Sequence, residues 1–176
     1  MYKIKLIALV FIATIGIFWE WIRHPLPKQE GTIKIAGLNE LVEVYTDNYG
    51  VPHIYAETEQ DLFFAAGYIA ARDRLFQLSM VSLAVRGGLA SVLGPEYLDK
   101  DIYFRTWKIH ETGKKLVENM NPKNKVIFST FCDGINYRIN EVLHDLPIEF
   151  KILRFKPDLW DPCLLYTSPS PRDQSG

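Results

Sequence analysis

Cysteine is scarce in this chain, and its scarcity excludes a class of protein. Cys132 and Cys163 are the only two among 176 residues, too few for a disulfide framework. An excess of one charge is missing as well: 20 basic residues against 21 acidic ones leave a net charge of −1. No basic field exists to attract nucleic acid, which is therefore excluded as a partner. The four histidines (His24, His53, His110, His144) are scattered, and none lies at metal-ligand spacing from a cysteine or an acid. There is no Gly-x-Ser-x-Gly elbow. Gly87-Gly88 is not followed by the Gly-Lys-Ser/Thr of a phosphate loop.

What is there argues for a packed protein. Hydrophobic residues make up 48% and aromatics 13%, too much apolar material for a disordered chain. The length suits one domain, and no internal repeat or domain boundary follows Gly31. The two ends need separate treatment. Lys3 and Lys5 precede an apolar or neutral run from Leu6 to Trp19, the shape of an export signal. The run is shorter than the roughly 20 residues of an ordinary spanning helix. No small-x-small cleavage site follows it, and Trp19 and Trp21 suit a membrane interface. Residues 1–24 therefore read as an uncleaved signal anchor, with a removed signal peptide as the near alternative; either exports the protein to the periplasm or another extracytoplasmic space, and the anchor would hold it at the inner membrane. A buried core helix is the competing reading. At the other end, Cys163-Leu-Leu-Tyr-Thr-Ser-Pro-Ser-Pro-Arg-Asp173 has neither helical nor strand period. It is similar to the forward translation of a transposase-based sequencing adapter, so residues 163–176 are expected to lie outside the fold and the natural sequence to stop near Pro162. A Ser/Pro-rich linker is the alternative.

Between these ends the period changes twice. Ile33 and Ile35 alternate with polar neighbours in 31–37, as do the apolar residues of 41–46, and residues 51–56 form a return strand. Asp47-Asn-Tyr-Gly50 supplies the turn. Thr58 to Asp61 opens a helix in capping-box fashion. That helix runs from 59 to about 86 and has no polar face in its first turns, so it must be covered on several sides. Gly87-Gly88 stops it. Pro95 starts a helix over Glu96–Arg105, and Asn121-Pro122 starts another that reaches about Leu143. Phe150–Leu153 reads as a short extended piece.

Few residues carry visible chemistry. Arg72-Asp73-Arg74 is a charged cluster in an apolar setting; Asp73 is a candidate acid or metal ligand, or else a satisfied structural partner. His53 is a candidate base on a strand, or a packed strand histidine. Cys132 lies among Phe128, Phe131 and Ile135 and reads as a buried, inert thiol. Glu96, Asp99 and Asp101 read as a solvated acidic turn. By residue chemistry alone the chain is an anchored, exported α/β piece with no catalytic, substrate-binding or metal-binding residue to name.

The order of its motifs says more. Thr32-Ile-Lys-Ile35 with Gly37-Leu38, Val44 through Asp47, Gly50-Val-Pro-His-Ile54, the Asp61–Gln77 helix, Arg86-Gly-Gly-Leu-Ala90 with Leu93-Gly94, Gly134-Ile-Asn136 and Trp160-Asp-Pro162 follow one another in sequence. That order resembles the start of the penicillin acylase (penicillin amidase) family, amide hydrolases with an N-terminal nucleophile. Arg72, where the family often has glutamine, and Ser79-Met-Val-Ser-Leu83 depart from its pattern. The resemblance implies an α+β fold: part of an α-β-β-α sandwich, with a short β meander followed mostly by helices, and residues 25–162 as the α-chain region. It also implies an exported precursor that cuts itself in two and a catalytic serine at the head of a β chain beyond the end of this sequence. Substrates of the penicillin or acyl-homoserine lactone type are expected, with a calcium ion in the full-length enzyme but no ligand for it here. The chain alone is then expected to be inactive and poorly folded, with the Phe63–Ile69 face exposed for want of the β chain. A stand-alone membrane-anchored binding or scaffold protein is the alternative.

Overall fold

The turn at Asp47 sets the first element. The computed structural model describes residues 9, 11–17, 19–20 and 30–167. Asp47 Oδ1 accepts from the backbone N–H groups of Tyr49 and Val51, each at 2.9 Å, and Gly50 takes the positive φ (78°) that closes the reversal. Strands β1 (Glu43–Thr46) and β2 (Pro52–Tyr55) pair antiparallel across it, Val44 opposite Ile54 and Tyr45 opposite His53. Pro52 sits at the strand's first residue, where a missing N–H is tolerated. The strand expected at 31–37 does not form. Residues 32–35 are irregular, leaving only an isolated bridge between Ala36 and Leu38. Ile33 is 48% exposed, so the alternation there has no buried surface to face.

Thr58 caps helix α1 (Glu59–Arg86), its hydroxyl accepting from the Asp61 N–H at 3.0 Å. Gly87, left-handed at φ 65°, ends the helix; its N–H bonds to Ala84 and that of Gly88 to Leu83. A kink interrupts α1 at Arg74 (φ −138°, ψ 31°). Short helix α2 (Ala90–Leu93), a 3₁₀ turn (Pro95–Tyr97) and helix α3 (Leu98–Thr106) follow, so the helix expected over Glu96–Arg105 is split by the tighter turn that Pro95 opens. Helix α4 (Ile109–Glu118), strongly amphipathic with Gly113 and Val117 buried one turn apart, was not among the expected elements. Helix α5 (Pro122–Val142) starts as expected, with Asn121 Oδ1 accepting from the Lys123 N–H. Residues 148–153 are helix α6, not an extended piece. Phe150, 1% exposed, stacks there on Phe155 and Phe76 at 4.9 and 5.8 Å, and one helical turn is what brings it inward. The last described element is helix α7 (Pro162–Thr167).

The core is the crossing of α1 over α5. Gly67 on α1 and Gly134 on α5 let the two backbones touch: a Cβ at either would sit 2.0 Å from a carbonyl oxygen of the other helix, of Phe131 or Phe64. Ala71 and Leu75 of α1 then meet Ile135 and Ile139 of α5, all at 5% exposure or less. This corrects the expectation that Phe63–Ile69 lies open. Phe64, Ala65, Gly67, Tyr68 and Ile69 are buried within the chain itself, because α5 comes close enough to cover them. Packing also runs past Pro162, since Cys163 and Leu164 of α7 are buried against α4 and α5. Burial does not bear on where residues 163–176 come from. The overall class is α+β, mostly helical with a two-stranded antiparallel sheet.

Candidate functional site

Three motif segments that are far apart in sequence meet at one place. Asn136, on α5, clasps the backbone of Trp160 from both sides: its Oδ1 accepts from the Trp160 N–H at 2.7 Å and its Nδ2 donates to the Trp160 carbonyl at 2.8 Å. Arg86, at the end of α1, donates to the Leu159 carbonyl at 3.1 Å and lies 3.5 and 3.6 Å from the carboxylates of Asp158 and Asp161. Trp160 is 4% exposed. The Arg86-Gly-Gly turn and the Gly134-Ile-Asn136 helix therefore hold the Leu159–Asp161 segment in register, with hydrogen bonds that a merely apolar contact would not direct.

Beside this clasp, His110 of α4, Asp161 and Cys163 bring ligand atoms within 4.8 Å of one another. His110 Nδ1 is 3.3 Å from Cys163 Sγ, and the thiol donates to Asp161 Oδ1. Sequence reasoning missed this group because its members are about fifty positions apart. Its chemistry is quiet. Burial pushes the Cys163 thiol up to about 12, aided by the Asp161 hydrogen bond, against the weaker pull of Lys114 and Arg86. A protonated thiol is no nucleophile at neutral pH. Burial likewise holds His110 below the usual imidazole range. Asp161 is occupied already, accepting from the N–H groups of Cys163 and Leu164 at the start of α7 and facing Arg86. As a metal set, nitrogen, sulfur and one carboxylate do not make the all-oxygen shell that calcium takes.

The other candidates separate. His53 is on the exposed face of β2, with Nε2 3.3 Å from Asp47 Oδ2. The Val51 N–H bond, with smaller help from His53 and Tyr49, holds the Asp47 carboxyl below its usual range. Asp73 is an exposed partner of its neighbour Arg72, which it meets in two hydrogen bonds of 2.7 and 3.1 Å; Arg74 bonds Gln77. Cys132 is 2% exposed, and burial raises its thiol to about 12.

Two carboxylates carry structural work that the sequence hid. Asp101 is 4% exposed rather than solvated. It accepts from the N–H groups of Leu89 and Ala90, both at 2.8 Å, and so caps the chain after the Gly87-Gly88 stop. Glu96 and Asp99 are exposed as expected. Asp61, 1% exposed, accepts from the backbone of Asn39 and Glu40 and from the Thr58 hydroxyl. Those bonds, the Asn39 N–H above all, outweigh desolvation and hold its carboxyl below the usual range. The sequence offered one signal for each: for Asp61 an acid three residues after a capping threonine, and for Asp101 an acid in the first turn of α3.

The comparisons agree with this frame. The family model described as penicillin amidase matches residues 41–168. Penicillin G acylase of Escherichia coli is 34% identical over 127 residues, 69% of this chain and 15% of its own length. Penicillin acylase 2 proenzyme of Pseudomonas sp. (strain SE83) is 32% identical over 143 residues, 81% of this chain and 18% of its own. Acyl-homoserine lactone acylase QuiP of Pseudomonas aeruginosa is 30% identical over 137 residues, 78% and 16% of the two chains. The chain thus spans less than a fifth of the curated relatives it matches. A solved structure, the thermostable penicillin G acylase from Alcaligenes faecalis, superposes with a TM-score of 0.65 at 30% identity, over 72% of this chain and 69% of that one. The chain belongs to the penicillin amidase family.

Proposed function

We propose that this chain is the amino-terminal, small-chain part of an exported hydrolase of linear N-acyl amides. The observation that carries the reading is the pair of coverage figures. The match takes up 15% of the Escherichia coli relative but 69% of the solved Alcaligenes chain. Two proteins of one name differ that much in matched length when one is counted whole and the other as a separate small chain. The name "proenzyme" on a third relative fits the same picture.

On this reading the nucleophile lies in the larger part: a serine at its head, with its own α-amino group as base through water. The serine oxygen attacks the amide carbonyl, the amine leaves with a proton, and water then releases the acid. Donors of the larger part hold the oxyanion, and the calcium of the full enzyme is ligated outside the residues described here. The small part supplies packing: α1 and α5 form an outer layer, and the Asn136–Trp160 clasp fixes the direction in which the chain leaves that layer. The basic, apolar amino terminus serves export and tethers the enzyme to the inner membrane. Substrate choice follows the relatives' names, a penicillin or an acyl-homoserine lactone.

The test is direct. The gene is read beyond the codon for Pro162 and its full product is incubated with a chromogenic phenylacetyl amide and with a long-chain acyl-homoserine lactone. Release of amine from one of them, abolished when the leading serine is replaced by alanine, is the expected result. A product with neither activity, or a reading frame that closes without a second segment, contradicts the proposal.

A further inference from the structure

We propose that Asn136 and Arg86 are positioning residues for the cut that divides the precursor: they set the register in which the small part leads its chain towards the bond to be cut. The inference rests on the two-part reading above and adds the residues that govern the division. On that reading the serine heading the larger part carries a free α-amino group. The peptide bond before it has therefore been hydrolysed: water adds across the bond, the small part keeps the carboxylate and the serine keeps the amine. Regular structure does not guide the chain on its way out. Helix α6 stops at Arg154, left-handed at φ 56°, and residues 155–161 are neither helix nor strand. Such a stretch has no ladder or helical turn to fix its register, and a slip of one residue moves it by about 3.3–3.6 Å.

Two side chains fix the register instead. Asn136 bonds the N–H and the carbonyl of a single residue, Trp160, at 2.7 and 2.8 Å. A slip of one residue breaks both bonds together and pulls an indole that is 4% exposed out of the core. Arg86 holds the residues on either side, donating to the Leu159 carbonyl at 3.1 Å and facing the Asp161 carboxylate at 3.6 Å. Both holds stand on rigid elements. Asn136 follows Ile135, which has no exposed surface, on α5. Arg86 ends α1, and the chain after it is pinned by Arg105 Nε on the Gly87 carbonyl and by the Asp101 carboxylate on Leu89 and Ala90. The clasp reads main chain: the Trp160 indole N–H has no acceptor among the described residues, so the ring contributes apolar area alone. Cutting a bond needs its reacting atoms within about 3–3.5 Å, and a misplacement of about 1 Å that starts far from the chemistry costs up to about 100-fold. One slipped residue exceeds that displacement about threefold.

The experiment follows the full-length precursor, made by cell-free synthesis, as it divides in two on a denaturing gel. The rate is taken per folded molecule, the folded fraction being what survives a brief trypsin pulse. Asn136→Ala removes the clasp. Asn136→Asp, of the same shape, keeps the acceptor for the Trp160 N–H but loses the donor to its carbonyl. Arg86→Lys keeps the charge but not the planar fork. Trp160→Phe is the control: it takes apolar area from the same corner and lowers the urea midpoint, yet leaves both clasp bonds in place. The expected result is a rate lowered at least about tenfold for Asn136→Ala, at least about threefold for Asn136→Asp and Arg86→Lys, and kept within about twofold of wild type for Trp160→Phe. Any folded Asn136 or Arg86 variant that divides within about twofold of wild type overturns the inference. So does a Trp160→Phe rate that falls as far as that of Asn136→Ala, which would make the corner a matter of stability alone. Failure of the functional reading is distinguishable: a wild type that divides but hydrolyses neither amide sinks only the activity, and an active enzyme whose Asn136 variants divide normally sinks only the positioning role. A wild type that stays in one piece overturns both.

Discussion

Replacing Gly134 by alanine is the sharpest test of the α1–α5 crossing. Elsewhere in a helix interior the change is favourable by about 1 kcal/mol, since glycine is the poorer helix former. Here the new Cβ would sit 2.0 Å from the Phe64 carbonyl oxygen and 2.8 Å from the Tyr68 N, both backbone atoms of α1 that no side-chain rotation can move away. Ordinary contact begins near 3.4 Å, so the helices must part by more than 1 Å. A gap of that size forfeits about half or more of the dispersion energy of each affected pair, and the residues affected are central to the core: Ala71 and Leu75, Ile135 and Ile139. Overpacking that side chains can relieve costs about 1–3 kcal/mol; with backbone as the obstacle the upper end applies. Set against the gain in helix propensity, a net loss of about 2 kcal/mol remains. That is a large share of the roughly 5–15 kcal/mol of a typical domain. Urea denaturation followed by far-ultraviolet circular dichroism measures it. Gly88→Ala is the matched control: its Cβ would meet Leu83 Cδ2 at 3.4 Å, an ordinary contact, and its change should stay within about 0.5 kcal/mol. A Gly134→Ala protein as stable as wild type would refute the reasoning.

Three further outcomes follow from the same structure. Asn136→Ala removes both bonds to the Trp160 backbone and leaves a buried N–H and carbonyl unpaired; a loss of about 2–3 kcal/mol in urea is expected, and an unchanged midpoint would discount the clasp. Asp61 has a folded pKa below its unfolded value, so its contribution is present above the unfolded value of about 3.9 and is lost as pH falls through the folded one. Urea midpoints taken from pH 6 to pH 2 should therefore fall more steeply below pH 4 for wild type than for Asp61→Asn, and parallel curves would remove Asp61 from the account. Burial raises both thiols to about 12, so Cys132 and Cys163 should resist a disulfide reagent at pH 8 until the chain is unfolded; rapid labelling of the native protein would place at least one of them at the surface.

Local signals made the helices legible and left their partners hidden. Thr58, Gly87 and Asn121-Pro122 act within one turn of themselves, and each did what its chemistry dictates. The strand expected at 31–37 and the extended piece expected at 150–153 do not form, because alternation and short apolar runs describe a surface to be buried, not what buries it. Ile33 finds no such surface, and Phe150 finds one through a helical turn. The junction of Arg86, Asn136 and Trp160 shows the same limit. All three lie in motifs visible in the sequence, but only the fold brings an arginine at the end of α1 and an asparagine on α5 to the same three-residue segment. Asp101 looked like one acid among several because its partners, the N–H groups of Leu89 and Ala90, lie eleven and twelve residues away. The family was readable because it rests on the order of motifs, which needs no coordinates. The chemistry of the reaction was not: among the described candidates Asp73 is tied to Arg72, and both thiols are held protonated by burial.

The most direct measurement is the hydrolysis of an N-acyl amide by the complete product of this gene, scored with and without its large segment. Amine release that requires both segments together, and that stops when the serine leading the larger one becomes alanine, is the predicted result. Turnover by the 176-residue chain alone, or none by the complete product on any acyl amide, would contradict the account at its root.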